Sequence, residues 1–162
     1  MTRPITPFEV KRIVVPLSLC SHSEVAFHLA HDLAERYDSE ICAIHVFVDP
    51  KEKDPLYSDE IKEPELYDKI FRQRIDDLLA VACPTGRCTK KTRTIVTHGP
   101  YAEEIVREAR DIKAHLIVMG THSGKTLQQN LLGSTMTRVL KQTPCPVLAI
   151  RYPHEETEGE GD

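Results

Sequence analysis

The chain has 162 residues, 40% apolar and 28% charged, the size and make-up of one domain that buries roughly two-thirds of its unfolded surface without disulfide or metal staples. Seven glycines and eleven prolines exclude collagen-like or low-complexity character, and no apolar run approaches the roughly 18 residues of a membrane span. The net charge of −4 is concentrated in residues 153–162 (PHEETEGEGD), which hold five acids and no Lys or Arg, so the rest is nearly neutral and lacks a nucleic-acid-binding face.

The opening MTRPITPFEVKR has no apolar h-region, so no signal peptide and a cytosolic location are expected. The organisation expected is one α/β domain over residues 1–152 and an acidic, disordered tail over 153–162. Five cysteines (Cys20, Cys42, Cys83, Cys88 and Cys145) form an odd set with no C-x-x-C pair, which fits reduced thiols. Cys83 and Cys88 bracket a Pro-Thr-Gly-Arg turn, read as a surface turn rather than a zinc or redox site.

Residues 11–17 (KRIVVPL) form a short apolar run and predict a buried strand. Val25, Ala26, Leu29, Ala30, Leu33 and Ala34 then recur at helical spacing, with Ser23 as the expected N-cap. Residues 40–48 (EICAIHVFV) read as a strand covered on both faces. Residues 49–65 hold Pro50, Pro55 and Pro64 and predict an exposed connection, with Leu56, Tyr57 and Ile61 as apolar handles for a pocket or a partner. Leu66, Ile70, Ile75, Leu78 and Leu79 mark a second helix, ended by Pro84 and Gly86.

Residues 90–97 (KKTRTIVT) predict a strand guarded by Lys90, Lys91 and Arg93. Gly99-Pro100 opens a third helix carrying Ala102, Ile105, Val106, Ala109 and Ile112, and residues 116–119 (LIVM) are a short buried strand. Leu131, Leu132, Met136, Val139 and Leu140 indicate a fourth helix, stopped by Pro144 and Pro146 before the last strand, VLAI. Strands alternating with helices predict a doubly wound parallel sheet, whose ligands bind beyond the strand carboxyl ends.

The stretch with chemical content runs from Met119-Gly120-Thr121-His122-Ser123-Gly124-Lys125-Thr126 to Gly133-Ser134-Thr135, leaving a strand and entering a helix. Glycines let a backbone approach a ligand closely, and N–H groups at a helix start favour an anion such as phosphate. The alternative is a plain β–α turn. Residues 120–126 (GTHSGKT) look like a Walker A loop but have three residues between the glycines where that loop needs four. They also follow the fourth strand, not the first, and no later strand ends in an Asp suited to magnesium.

From about Lys11 to Arg151 the chain resembles the universal stress protein family. The resemblance rests on Pro16 in the opening strand and Cys20-Ser21-His22-Ser23-Glu24 after it, His45-Val46 ending the second strand, and Gly99-Pro100 before the third helix. LIVMGTH leading into the glycine loop, Leu132-Gly133-Ser134, and Thr143-Pro144-Cys145-Pro146-Val147-Leu148 complete it. The resemblance implies strand order 3-2-1-4-5 and a candidate nucleotide pocket. In it Pro16, Leu17 and Ser18 contact the nucleoside, Val46 packs on the adenine, and Met119 and Gly120 line the floor. Ser123, Gly124 and Lys125 meet the phosphates, and Gly133, Ser134 and Thr135 close the site.

Two departures from the family's ATP-binding pattern, G-x-x-G then nine residues then G-S or G-T, are visible. Position 123 is Ser, with Gly124 one place late, and Ser18 stands where ATP-binding relatives have Asp. Losing that charge-assisted bond costs roughly 1–2 kcal/mol. The resemblance further implies a homodimer through the last strand, Val147, Leu148, Ala149 and Ile150, and ATP or another adenine nucleotide as ligand, with magnesium only if ATP is bound. The unguarded apolar edge is an independent physical reason for the dimer; the alternative is an edge covered by the acidic tail.

His28 and His31, three apart on the first helix, have no visible third metal ligand, and no nucleophile elbow or general base stands out. The expected role is therefore a stress-response protein that binds nucleotide without efficient catalysis. The competing readings are a nucleotide-free family member acting through protein partners and a weak ATPase.

Overall fold

Short runs rich in Val and Ile become strands, and the amphipathic stretches between them become helices, in the computed structural model of the chain, which describes residues 9–18, 21–47, 64–82, 91–121 and 133–151. In chain order they are β1 (Arg12–Pro16), α1 (Ser21–Tyr37), β2 (Glu40–Phe47), α2 (Pro64–Ala82), β3 (Thr92–His98), α3 (Tyr101–Asp111), β4 (Leu116–Gly120), α4 (Ser134–Gln142) and β5 (Val147–Ile150). Every strand pairing is parallel and the order is β3-β2-β1-β4-β5, as expected. The readings of the connection over 49–63, the Cys83–Cys88 turn, the loop over 122–132 and the acidic tail lie outside the described residues.

Alternation along the strands sorts their side chains into two cores. On one face Ile13, Val15, Ile41, Ala43 and Val118 meet Phe27 and Ala30 of α1 and Phe71 and Ile75 of α2. On the other Val14, Ile44, Val46, Ile117 and Met119 meet Ile105 and Val106 of α3 and Met136 and Val139 of α4. Every position of β2 after Glu40 is buried, which explains its near-continuous apolar run. Phe27 and Phe71 are fully buried, each stabilising the fold by about 2–3 kcal/mol.

Several helix expectations shift. Because α1 opens at Ser21, Ser23 lies inside its first turn, buried, and is not the N-cap. Phe27 and His31 turn inward with Ala26, Ala30 and Ala34, which rotates Leu29 to the exposed margin. The bulky ring, not the aliphatic stripe, centres the buried face. Pro64 and Glu65 belong to α2 rather than to the connection before it. A proline in the first turn has no intrahelical partner for its nitrogen to lose. On α2 the inward positions are Phe71, Ile75, Leu78 and Leu79, a helical spacing of three and four, and Leu66 and Ile70 fall outside it and are exposed. On the short α4, Met136 and Val139 fill the buried stripe and Leu140 is exposed. β3 starts at Thr92 and runs on to His98, whose register partner is Phe47.

The turns are set locally. Asp38 (φ 55°) and Lys113 (φ 53°) adopt the left-handed conformation that stops α1 and α3. Gly99 (φ 142°) donates its N–H to the Phe47 carbonyl at 3.0 Å, and an added Cβ there would lie 3.0 Å from Glu104 Oε1. Glu104, 7% exposed, accepts from Thr97 Oγ1 at 2.6 Å and from Arg107 Nη1 at 2.8 Å, clamping the turn from β3 into α3. Among the described residues no helix is long and apolar enough to cross a membrane.

Candidate functional site

The central strand β1 pairs with β2 on one side and β4 on the other. The helix after β1 packs on one face of the sheet and the helix after β4 on the opposite face. The carboxyl ends of β1 and β4 are therefore the topological switch point, where open α/β sheets bind their ligands. The sequence-derived pocket residues that the structure describes fall at this end.

Pro16 closes β1, buried and in register with Ile44. Leu17 donates its N–H to the Ile44 carbonyl at 2.9 Å. Its side chain is 1% exposed in the core shared with α1 and α2. The side chain thus faces the core, and the Leu17 main chain lies at the end of β1. Ser18 follows, half-buried. Val46 and Met119 share one apolar cluster with Met136 from the first turn of α4, all three buried. Gly120 is half-buried, and Thr121 after it ties the end of β4 to β5 through its N–H to the Ile150 carbonyl at 2.8 Å and its hydroxyl to the same oxygen at 3.2 Å.

At the start of α4, Gly133 and Ser134 are exposed and Thr135 is half-buried. Gly133 accepts from Thr137 N–H at 3.0 Å, and among the described residues no side chain caps the helix. The first N–H groups of α4 thus have no intrahelical acceptor. Gly133 has an ordinary φ of −53°, and an added Cβ would meet nothing within 4 Å among the described residues. No packing among the described residues requires glycine there. Ser123, Gly124 and Lys125 lie outside the described residues.

Burial pushes the Cys42 thiol up to about 11, so it stays protonated at neutral pH. Burial also raises the Cys145 thiol, against the opposing hydrogen bond from Thr143. His28 stands edge-on to Phe27 at 6.5 Å while His31 is buried, and among the described residues no group of three or more His, Cys, Asp or Glu could hold a metal.

Sequence reasoning used His45 only as a mark of the resemblance and gave it no role. It is fully buried in β2, with its Nδ1 2.7 Å from the Leu17 carbonyl oxygen. The available signal was a lone polar residue in a run otherwise buried on both faces.

The family model described as the universal stress protein family matches residues 9–151, and the chain belongs to that family. A universal stress protein of Methanocaldococcus jannaschii, MJ0531, is 36% identical over 148 residues, covering 90% of this chain and 85% of its own. A universal stress protein solved in complex with cAMP superposes with a TM-score of 0.67 at 18% identity, covering 90% of this chain and 99% of its own. The Archaeoglobus fulgidus universal stress protein in complex with dAMP gives 0.57 at 16%, covering 88% and 98%. At these identities the two structures speak for the fold alone.

Proposed function

We propose that this universal stress protein family member binds an adenine nucleotide at the carboxyl ends of β1 and β4 and does not turn it over efficiently. One observation carries the reading. The Val46–Met119–Met136 cluster lies at the same end of the sheet as the α4 N-terminus, where no side chain among the described residues caps the helix and none crowds Gly133. Apolar packing beneath the strand ends suits a base laid against their main chain, and the N–H groups of a helix start beside a glycine suit a phosphate. The adenine nucleotides bound by the cAMP and dAMP relatives support the same ligand class. Pro16, the Leu17 main chain and Ser18 would meet the nucleoside, and Lys125 would neutralise phosphate charge, with magnesium present only alongside ATP. Ser18 in place of Asp lowers affinity rather than abolishing it. The protein works as a homodimer through β5, whose outer edge carries exposed Leu148 and Ala149.

The test uses protein purified without added nucleotide, denatured and analysed by anion-exchange chromatography, with ATP titration calorimetry on stripped protein. Near-stoichiometric adenine nucleotide or micromolar binding, weakened by Gly133→Val, is the expected result. Empty protein that ignores millimolar ATP overturns the reading in favour of a nucleotide-free member acting through protein partners.

A further inference from the structure

His45 sits in β2, 0% exposed, on the face that carries the α1 and α2 core. Its ring packs between two others: Phe71 of α2 at 4.7 Å between centroids, tilted by 34°, and Phe47 edge-on at 5.2 Å. This packing leaves the imidazole little freedom to turn, so its nitrogens point in set directions. Nδ1 lies 2.7 Å from the carbonyl oxygen of Leu17. A carbonyl oxygen only accepts, so Nδ1 carries the proton and donates it. A fully buried imidazole in an apolar core is costly unless its polar atoms are used, and this one uses Nδ1 on the main chain just beyond β1.

The position of that carbonyl gives the contact its consequence. β1 ends at Pro16, and Leu17 is the first residue past it. Leu17 N–H bonds the Ile44 carbonyl at 2.9 Å, so the peptide units on both sides of Leu17 are held by consecutive residues of β2, one through main chain and one through side chain. The Leu17 side chain is locked in the core at 1% exposure. The chain therefore leaves the sheet along a set path, and Ser18 emerges where that path releases it. We propose that His45 is a positioning residue: by donating Nδ1–H to the Leu17 carbonyl it sets the course of the main chain leaving β1, and so the place at which Leu17 and Ser18 present themselves to a nucleoside. The second half of this statement rests on the nucleotide-binding reading above; the first half does not.

The test uses the full chain with three substitutions. His45→Phe keeps a ring between Phe71 and Phe47 and removes the donor. His45→Leu is a second donor-less variant, should phenylalanine overpack the site. His45→Asn places an amide N–H near the position of Nδ1 and restores the donor. Amide hydrogen exchange by mass spectrometry, resolved to the peptide spanning Leu17 and Ser18, is the first readout and needs no ligand. Exchange there is expected to rise at least fivefold in the donor-less variants and to stay within about twofold of wild type in His45→Asn, with peptides from α3 and α4 unchanged. Calorimetric affinity for ATP and for AMP is the second. Both ligands are expected to weaken by the same factor, about five- to tenfold, because the affected contacts lie at the nucleoside end.

A donor-less variant whose Leu17–Ser18 peptide exchanges as in wild type overturns the proposal, as does an asparagine variant that behaves like the phenylalanine one. If wild type binds no adenine nucleotide but the exchange pattern appears, the positioning role stands and the nucleotide reading falls. If wild type binds and the local exchange rises while both affinities are unchanged, the link from His45 to the ligand is overturned.

Discussion

The two edges of the sheet are built on opposite principles. Along β3 both helix layers and the turn from α1 into β2 send charge or hydrogen bonds to the strand or its start. Arg72 of α2 donates to Thr94 Oγ1 at 2.7 Å, Arg93 stands 3.7 Å from Glu108 of α3, and Lys91 beside the strand's start pairs with Asp38. Burial raises the Glu108 carboxyl, against the opposing pull of Arg93. Along β5 the first charge is Arg151, beyond the strand's end, and Leu148 is 37% exposed with Ala149 beside it. An edge strand offers unpaired N–H and C=O groups to any chain that fits, and charges across it raise the cost of pairing. One edge is thus guarded by charge and the other is not, and the homodimer proposed above rests on that asymmetry.

The most disruptive way to break this asymmetry is to give β5 the character of β3. Leu148→Lys puts a charge on each copy into the proposed interface, and the dimer dissociation constant is expected to rise about a hundredfold, roughly 3 kcal/mol. Sedimentation equilibrium reads this directly, and an unchanged assembly would place the interface elsewhere. Next in size is an attack on the turn that anchors the guarded edge. Gly99→Ala forces a side chain onto a φ of 142° and within 3.0 Å of Glu104 Oε1, and denaturant unfolding should show a loss of about 2–3 kcal/mol with the dimer edge intact.

The smallest effect belongs to a single surface pair on the guarded side. The hydrogen bond and charge of Lys91 hold the fully exposed Asp38 carboxyl below its ordinary 3.8. A lowered folded-state pKa adds stability that is present above 3.8 and lost as pH falls through the folded value. Asp38→Asn should therefore differ slightly from wild type near neutral pH, and the two melting temperatures should converge in acid.

Much of this contrast was legible beforehand. Lys91 and Arg93 on one strand and the uncharged VLAI on another are visible in the sequence, because charge on a strand needs no tertiary information to be recognised. The partners of those charges were not, since Asp38 and Glu108 lie in elements that only folding brings to β3. At the candidate site the glycine positions and the Val46, Met119 and Ser134 placements could be carried across from a family resemblance. The inward turn of Leu17 could not, because a residue just past a strand's end has no periodicity to say which face it takes. The same limit explains α2, where Leu66 and Ile70 fit a helical stripe on paper. Phe71, outside that stripe, is the residue that packs into the core shared with α1.

The sequence by itself determined the alternation of strands and helices, the five-strand doubly wound order through its family signature, and the glycine-marked helix start at residue 133. These depend on local pattern, on turn chemistry and on residue types that survive comparison. Only the tertiary structure decided that Phe27 and Phe71 centre one core, that Glu104 clamps the turn at Gly99, and that a buried imidazole holds the Leu17 carbonyl. Each of these joins residues far apart in the chain or on different elements, and which atoms meet there depends on how two packed layers rotate against one sheet. That rotation is a property of the whole set of side chains together, and no single stretch of sequence carries it.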